Sequence, residues 1–225
     1  MSWKRWIREI EIEPSLYAGD FLRLGEQIDH LIGAGARLFH FDIGDGHFVE
    51  PVTMGPIVLQ SISPLIHKFE GVIDCHLMVT NPEHHFEMIK KAGGDSVTFH
   101  VEAVDDVPAT IAAAREAGLQ AGVAFNPETA PEDVAAVASD ADLVLCMSIH
   151  PGYSGQPFQE AAFERVARLR ELLPQHMHIQ VDGGVGDANI RELHANGATL
   201  LVAASSIFAA GDPPGAYRSL VQALG

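Results

Sequence analysis

The sequence predicts a closed (β/α)8 barrel, the TIM-barrel architecture, because eight short apolar runs alternate with longer amphipathic stretches along its 225 residues. Small-residue turns such as KAGGD, EAGLQ and ANGAT follow several of the amphipathic stretches and are typical of helix C-caps. No linker or low-complexity tract interrupts the alternation, so we expect a single domain over residues 1–225. A doubly wound open sheet is the competing arrangement of the same units.

Each element follows from local composition. Strands are expected where Val, Ile, Leu and Phe cluster in short runs, at 10–16, 37–43, 72–78, 96–101, 120–125, 142–148, 177–182 and 199–203. Helices are expected between them, at 20–34, 55–65, 82–92, 106–118, 131–139, 160–173, 187–196 and 215–224. Asp20 and Asp187 occupy expected N-cap positions, while Pro82 and Pro131 suit a first helical turn.

The charge balance excludes several classes of partner. Fourteen basic residues against 30 acidic ones give a formal net charge of −16, which disfavours binding to nucleic acid or to an anionic membrane. The start, MSWKRWIREI, carries charges where a signal peptide needs an apolar core. Two cysteines, Cys75 and Cys146, lie in apolar runs and are expected to be buried free thiols. We therefore expect a soluble cytoplasmic protein that binds neither nucleic acid nor membrane.

Four ionisable residues fall at the ends of predicted strands. His40 and Asp42 are two residues apart, so a strand places both side chains on one face. His76 closes the third strand and Asp182 the seventh. A barrel brings its strand ends together at one mouth, where two imidazoles and two carboxylates suit zinc, Fe²⁺, Mn²⁺ or Co²⁺. Histidines near this mouth that could orient such ligands are His47, His100 and His150.

Glycine-rich loops follow the last three strands. They are PGYSG from Pro151 to Gly155, DGG from Asp182 to Gly184, and AASS from Ala203 to Ser206. Loops after strands seven and eight of such barrels commonly hold a phosphate. None of the three contains lysine or arginine, so backbone dipoles and the hydroxyls of Ser205 and Ser206 would have to bind it.

Together, these motifs resemble those of the ribulose-phosphate 3-epimerase family, from about Ile10 to Leu224. The matching stretches are I-E-P-S-L near Ser15, HFDIGDGHFV from His40, DCHLMVTNP from Asp74, MSIHPGYSGQPF from Met147, VDGGV from Val181 and SSIF from Ser205. The resemblance implies a ribulose-phosphate-binding TIM barrel. It also implies an enzyme that inverts C3 of a ketose phosphate, most simply D-ribulose 5-phosphate to D-xylulose 5-phosphate, and a homo-oligomer.

The resemblance also assigns residues. It implies that His40, Asp42, His76 and Asp182 hold one divalent metal ion per subunit, zinc being the first expectation, and that Asp42 and Asp182 are the acid–base pair. The expected substrate-binding residues are Ser15, His76, Met78, Met147, Gly152, Tyr153, Ser154, Gly155, Gly183, Gly184, Ala204 and Ser205.

The sequence departs from the family pattern around the expected pocket. Gly44 stands where the family usually has methionine, which is expected to leave one wall of the pocket open. Glu50-Pro51 replaces Pro-Asn, Ser154 replaces a loop glycine, and Ala204 replaces the glycine before Ser205, where the added methyl group requires a negative φ. These changes keep two alternatives open: a 3-epimerase of a ketohexose 6-phosphate such as allulose 6-phosphate, and a non-catalytic sugar-phosphate-binding barrel. A decarboxylase, aldolase or synthase is disfavoured because no lysine lies at a strand end.

Overall fold

The computed structural model describes residues 10–153 and 155–224, and these form a barrel of eight parallel strands in the order β1-β8-β7-β6-β5-β4-β3-β2. The strands are β1 Glu11–Pro14, β2 Leu38–Gly44, β3 Val72–Met78, β4 Ser96–His100, β5 Gln120–Phe125, β6 Leu143–Met147, β7 His178–Asp182 and β8 Leu200–Ala203. A parallel bridge between Ser15 and His40 joins the β1 end to β2, so the sheet curls back on itself. The predicted barrel is confirmed, and the open sheet is not observed.

Helices connect the strands around the outside of the barrel. They are α1 Leu24–Gly33, α2 Pro56–Lys68, α3 Glu83–Ala92, α4 Val107–Glu116, α5 Pro131–Val137, α6 Ala161–Leu172, α7 Ile190–Ala195, α8 Ser205–Phe208 and α9 Pro213–Leu224. Within the described ranges, no helix combines the length and the apolar character needed to cross a bilayer.

Period-two alternation along each strand separates two environments. On β2, Phe39, Phe41 and Ile43 are buried against the surrounding helices as part of the main apolar core. His40 and Asp42 alternate with them and face the barrel interior. The interior has its own smaller apolar cluster, formed by Leu38, Val72, Ala124, Leu143, Leu145, Met147, Ile149 and Leu200. The chemistry-bearing side chains therefore share the interior with a limited number of apolar ones.

The predicted helix boundaries are partly confirmed. Pro131 is the first residue of α5, and Pro82 immediately precedes α3. The N-cap predictions are wrong: the Asp20 carboxylate accepts the Leu22 N–H in a local turn, so α1 starts only at Leu24. Asp187 likewise lies in a turn before α7.

Turn glycines and cysteines behave as expected. Gly35, Gly93, Gly118 and Gly197 follow helices with φ between +81° and +110°, the left-handed conformation of a helix C-cap. Cys75 and Cys146 are buried and unpaired, in β3 and β6 respectively.

Candidate active site

Four side chains meet at the mouth of the barrel as the sequence predicts. His76 Nδ1 lies 3.1 Å from Asp42 Oδ1, and His40 Nε2 lies 3.3 Å from the same oxygen. The Oδ2 atom of Asp182 lies 3.8 Å from His76 Nδ1 and 4.0 Å from His40 Nε2. One donor atom from each of the four residues therefore falls within 4.8 Å of the others.

The residues present fit a divalent metal ion. Zinc binds nitrogen and oxygen ligands at roughly 2.0–2.1 Å, so neighbouring ligand atoms of a tetrahedral site lie about 3.4 Å apart. The four separations between imidazole nitrogens and carboxylate oxygens, 3.1 to 4.0 Å, bracket that value. Both ring nitrogens of His40 are also buried without a hydrogen-bond partner among the described residues, and Nε2 faces both carboxylates. Such an unpartnered nitrogen is costly in a protein interior and is accounted for by a cation ligand.

A polar layer lies beneath the mouth, against His40. Its Nδ1 atom lies 3.4 Å from Asp74 and 3.8 Å from Glu13, two carboxylates that are completely buried. Gln180 Nε2 lies 3.0 Å from both Glu13 oxygens and from Asp74, and Ser96 donates to Asp74. The Nδ1 side of His40 thus faces this network, and the Nε2 side faces the mouth. The sequence analysis did not predict this polar layer, because Glu13 and Gln180 lie inside apolar runs. Their alternation with apolar residues along the strand is the pattern that could have indicated it.

A second chain of contacts supports His76. Its Nε2 atom lies 2.9 Å from His100 Nε2, and His100 Nδ1 lies 3.3 Å from Glu102. Of the three histidines expected near the mouth, only His100 contacts a predicted ligand in the described structure. His47 is exposed, and His150 pairs with Glu128 at the surface.

The two carboxylates have opposite electrostatic environments. Burial raises the pKa of Asp182 to about 7, and the nearby Asp42 carboxylate adds to the shift. Burial acts on Asp42 in the same direction, but the adjacent His40 and His76 outweigh it and hold the pKa of Asp42 well below its ordinary value. Asp42 therefore ionises readily, whereas Asp182 holds its proton more firmly than an ordinary aspartate does.

Both carboxylates line a cleft whose empty volume, including the part open to solvent, is about 500 Å³. The expected substrate-binding residues that line it are Ser15, Met78, Met147, Gly152, Tyr153, Gly155, Gly183, Gly184, Ala204 and Ser205. His76 is completely buried behind this surface, and Ser154 lies outside the described residues. Pro151, the first residue of the predicted PGYSG loop, also lines the cleft, as do three residues that the sequence did not single out: Tyr17, Ile149 and Val185. Of these three, Val185 could have been expected, since it directly follows the predicted site residue Gly184.

Individual contacts refine the expected roles. The Ser15 hydroxyl donates to Asp42 Oδ2 at 2.7 Å, so this expected substrate-pocket residue also holds a carboxylate in place. Asn189 ties down the loop after β7, because its side chain accepts from the Gly186 N–H and donates to the Gly184 carbonyl. Sequence analysis did not single out this role of Asn189.

The expected opening at Gly44 is not observed. A Cβ atom built there would lie 2.8 Å from the Pro51 carbonyl oxygen and 3.0 Å from Val49 Cγ2, so the loop after β2 already fills the space. Thr53 fixes this loop by accepting the Gly44 N–H and donating to the Asp42 carbonyl. The expectation of an open wall is therefore wrong. The φ of Ala204 is −106°, on the negative side that its methyl group requires.

Comparison with known proteins agrees with these observations. Residues 11–208 match the ribulose-phosphate 3 epimerase family. The chain is 37% identical to "Ribulose-phosphate 3-epimerase 2" of Cupriavidus necator, over 96% of this chain and 92% of that protein. It is 38% identical to "Ribulose-phosphate 3-epimerase, cytoplasmic isoform" of Oryza sativa subsp. japonica, over 90% of this chain and 89% of that protein.

Solved structures extend the likeness of fold. The 3-hexulose-6-phosphate synthase of Salmonella typhimurium superimposes with a TM-score of 0.71 at 18% identity, covering 96% of this chain and 98% of that one. At that identity the likeness concerns the barrel alone. The family match and the identities to the curated relatives carry the assignment: this chain belongs to the ribulose-phosphate 3-epimerase family and is an epimerase, an enzyme of the isomerase class.

Proposed function

We propose that this protein epimerises a ketose phosphate at C3, converting D-ribulose 5-phosphate to D-xylulose 5-phosphate, a step of the pentose phosphate pathway. The observation that carries the proposal is the pair of carboxyl groups lining one cleft, Asp42 with a depressed pKa and Asp182 with a pKa raised to about 7. The family to which the chain belongs supports the same reaction.

Inversion at C3 requires a proton to leave one face of the substrate and another to arrive on the opposite face. The hydrogen α to the C2 carbonyl is acidic enough for a carboxylate to remove if the resulting enediolate is stabilised. In the proposed reaction, ionised Asp42 accepts the proton from one face while protonated Asp182 donates to the other. The two residues exchange roles when the other epimer is the substrate.

A divalent ion would be held by His40, Asp42, His76 and Asp182, with zinc first and Fe²⁺, Mn²⁺ or Co²⁺ as the alternatives. When bound, it supplies Lewis-acid stabilisation of the negative charge that develops on the substrate oxygens. The buried contacts behind His40 and His76 keep one nitrogen of each ring facing the site.

The phosphate group is proposed to bind at the loops after β6, β7 and β8. Gly152, Gly155, Gly183 and Gly184 let the main chain approach closely, and each has a positive φ. Ser205 adds a hydroxyl donor at the same end of the cleft. No lysine or arginine belongs to these loops, so binding there depends on backbone dipoles and hydroxyls.

The absence of a lysine from the cleft lining of the described chain also bears on other chemistries of this barrel. Lys68 ends α2, and Lys90 and Lys91 lie in α3, on the outer layer of helices. A Schiff-base aldolase needs a lysine at the substrate carbonyl. The lysine positions therefore favour proton transfer by carboxylates. We also infer that the enzyme acts in the cytoplasm and as a homo-oligomer, in line with the family resemblance.

The decisive experiment follows the C3 proton in D₂O by NMR. Metal-depleted protein is refilled in turn with each divalent ion and given D-ribulose 5-phosphate or allulose 6-phosphate. We expect deuterium at C3 and formation of D-xylulose 5-phosphate. Asp42→Asn and Asp182→Asn should each lower the rate at least about 10²-fold, the usual contribution of a general acid or base. Asp140→Asn, an exposed aspartate after α5, is the matched control.

Each contrary result has a definite meaning. Epimerisation by either cleft variant at more than a tenth of the native rate, at equal metal content, would refute the two-carboxylate mechanism. Faster turnover of allulose 6-phosphate would replace the pentulose by a ketohexose as substrate. Tight binding of both phosphates without C3 exchange would identify a non-catalytic binding barrel.

A further inference from the structure

His76 is the inner member of a chain of three side chains that leads away from the site. Its Nε2 atom meets His100 Nε2 at 2.9 Å, and His100 Nδ1 meets Glu102 Oε2 at 3.3 Å. Both imidazoles are completely buried, and the His100 ring also contacts Phe48, with ring centroids 4.8 Å apart. The Nδ1 atom at the other end of His76 faces Asp42.

The positions of the protons along this chain determine whether His76 can bind a cation. Two neutral imidazoles carry one N–H each, so two protons serve three contacts: Asp42 to His76, His76 to His100, and His100 to Glu102. The close approach of the two Nε2 atoms requires one proton between them. Either the Asp42 contact or the Glu102 contact is then left without one. Only the second proton at the Glu102 end leaves a lone pair on His76 Nδ1 toward the site.

Glu102 is held so that it favours this cation-ready arrangement. Its Oε1 atom accepts the Asn126 N–H at 2.8 Å and the Thr129 hydroxyl. Its Oε2 atom is left to face His100 Nδ1, and an ionised carboxylate can only accept. Asp42, the competitor at the other end, accepts from Ser15 at Oδ2, and its Oδ1 atom faces His40 Nε2 at 3.3 Å as well as His76 Nδ1 at 3.1 Å.

We propose that Glu102 and His100 are positioning residues that set the tautomer of His76, so that its Nδ1 atom presents a lone pair to a divalent cation. Glu102 draws the His100 proton to Nδ1, His100 Nε2 then accepts from His76 Nε2–H, and His76 Nδ1 is left unprotonated. This inference rests on the metal site of the proposed function, but the tautomer itself exists without metal or substrate.

A nearly isosteric substitution at Glu102 should reverse the tautomers of His100 and His76. In Glu102→Gln, the Asn126 N–H and the Thr129 hydroxyl retain the amide oxygen at the Oε1 position. The amide NH₂ group then faces His100 Nδ1 and donates to it, which moves the His100 proton to Nε2. His76 must accept at Nε2 and carry its own proton on Nδ1, where a cation would bind. Glu102→Ala removes the acceptor without supplying a donor, so both tautomers should be populated.

The test combines a tautomer measurement with metal affinity. Protein labelled with ¹⁵N-histidine and stripped of metal is studied at pH 8 by two-bond ¹H–¹⁵N correlation, which distinguishes Nδ1–H from Nε2–H. Zinc affinity is measured by competition with a chromophoric chelator. We expect His100 Nδ1–H and His76 Nε2–H in the native protein, the reverse in Glu102→Gln, and zinc affinity lowered about 10- to 100-fold in that variant. Glu102→Ala should lie between them.

Glu128→Gln is the matched control, since Glu128 faces His150 at the same 3.3 Å but at the surface, where the side chains are 65% and 61% exposed. It should leave tautomers and zinc affinity unchanged. Thermal melts verify that each variant is folded. If Glu102→Gln does not fold, the tautomers and the zinc affinity are measured on Glu102→Ala instead. Native tautomers in the Glu102 variants with zinc affinity within twofold of native would overturn the proposal. A native protein that binds no zinc would instead overturn the metal site, whatever the tautomers show.

Discussion

The buried carboxyl group of Glu13 offers a direct test of the polar layer below the active site. Glu13 is completely buried, and burial, helped by the Asp74 carboxylate, raises its pKa from 4.5 to about 7. Glu13→Gln removes this titration while keeping the shape of the side chain. The new amide N–H can donate to Gln180 Oε1, which is buried without a partner among the described residues.

The sign of the effect follows from proton linkage. Below pH 4.5 Glu13 is protonated in both the folded and the unfolded chain, so it carries no penalty. As the pH rises toward 7 the unfolded chain loses this proton while the folded one retains it, and the native protein loses stability relative to the variant. Raising the pKa from 4.5 to about 7, at about 1.4 kcal/mol per pH unit, lowers the stability of the native protein relative to the variant by about 3 kcal/mol, and this loss is nearly complete at pH 8.

Urea unfolding of the metal-free proteins at pH 4.5, 6 and 8 measures this change. The free energy of unfolding of Glu13→Gln minus that of the native protein should grow by about 3 kcal/mol between the first and last pH. Glu128→Gln removes a 65% exposed carboxylate from the same acidic chain and should alter stability by no more than about 0.5 kcal/mol at any pH. A Glu13→Gln difference that is constant with pH, or that falls as pH rises, would refute the reasoning.

Three further substitutions test single contacts. Ser15→Ala removes the 2.7 Å hydrogen bond to Asp42. Since hydrogen bonds to charged groups contribute about 1.5–3 kcal/mol, C3 exchange should slow at least about tenfold. A native rate would show that this bond does not position the proposed base. Gly44→Met drives a Cβ atom to 2.8 Å from the Pro51 carbonyl oxygen, and urea unfolding should show about 1–3 kcal/mol lost; unchanged stability would mean that the loop moves aside freely. Gly184→Ala places a side chain at φ +65°, which should cost about 1–3 kcal/mol of stability and raise KM, whereas unchanged values would show a relaxed loop.

The barrel strands could be predicted closely because each is an apolar run bounded by polar turns. The prediction for β3, 72–78, coincides with the observed strand, and β5 at 120–125 does so as well. Helix starts were less predictable, because aspartate favours both an N-cap and a local turn. At Asp20 the turn prevailed. The four-residue helix α8 is too short to show a helical period.

In the candidate site, the spacing of residues along one strand could be used for prediction, whereas contacts between neighbouring strands could not. His40 and Asp42 could be placed on one face from their spacing alone. The contact between His76 and His100 depends on the register of β3 against β4, which pairs His76 with Thr98 and is not encoded locally. The loop that fills the space beside Gly44 likewise depends on a tertiary path. The register between strands and the packing of loops therefore could not be predicted from the sequence.

Strand register also explains why the pKa values of two aspartates in one cleft are shifted in opposite directions. Asp42 pairs with His76 on β3, and Ser15 donates to it from the β1 side, so both flanks stabilise negative charge. Asp182 pairs with Met147 on β6 and with Val202 on β8, whose buried apolar side chains offer no compensation. The asymmetry thus follows from which strands adjoin β2 and β7, together with the charge of Asp42 near Asp182. Placing one carboxylate in the polar part of the interior and the other beside the apolar part gives the barrel two carboxyl groups of different pKa from the same residue type.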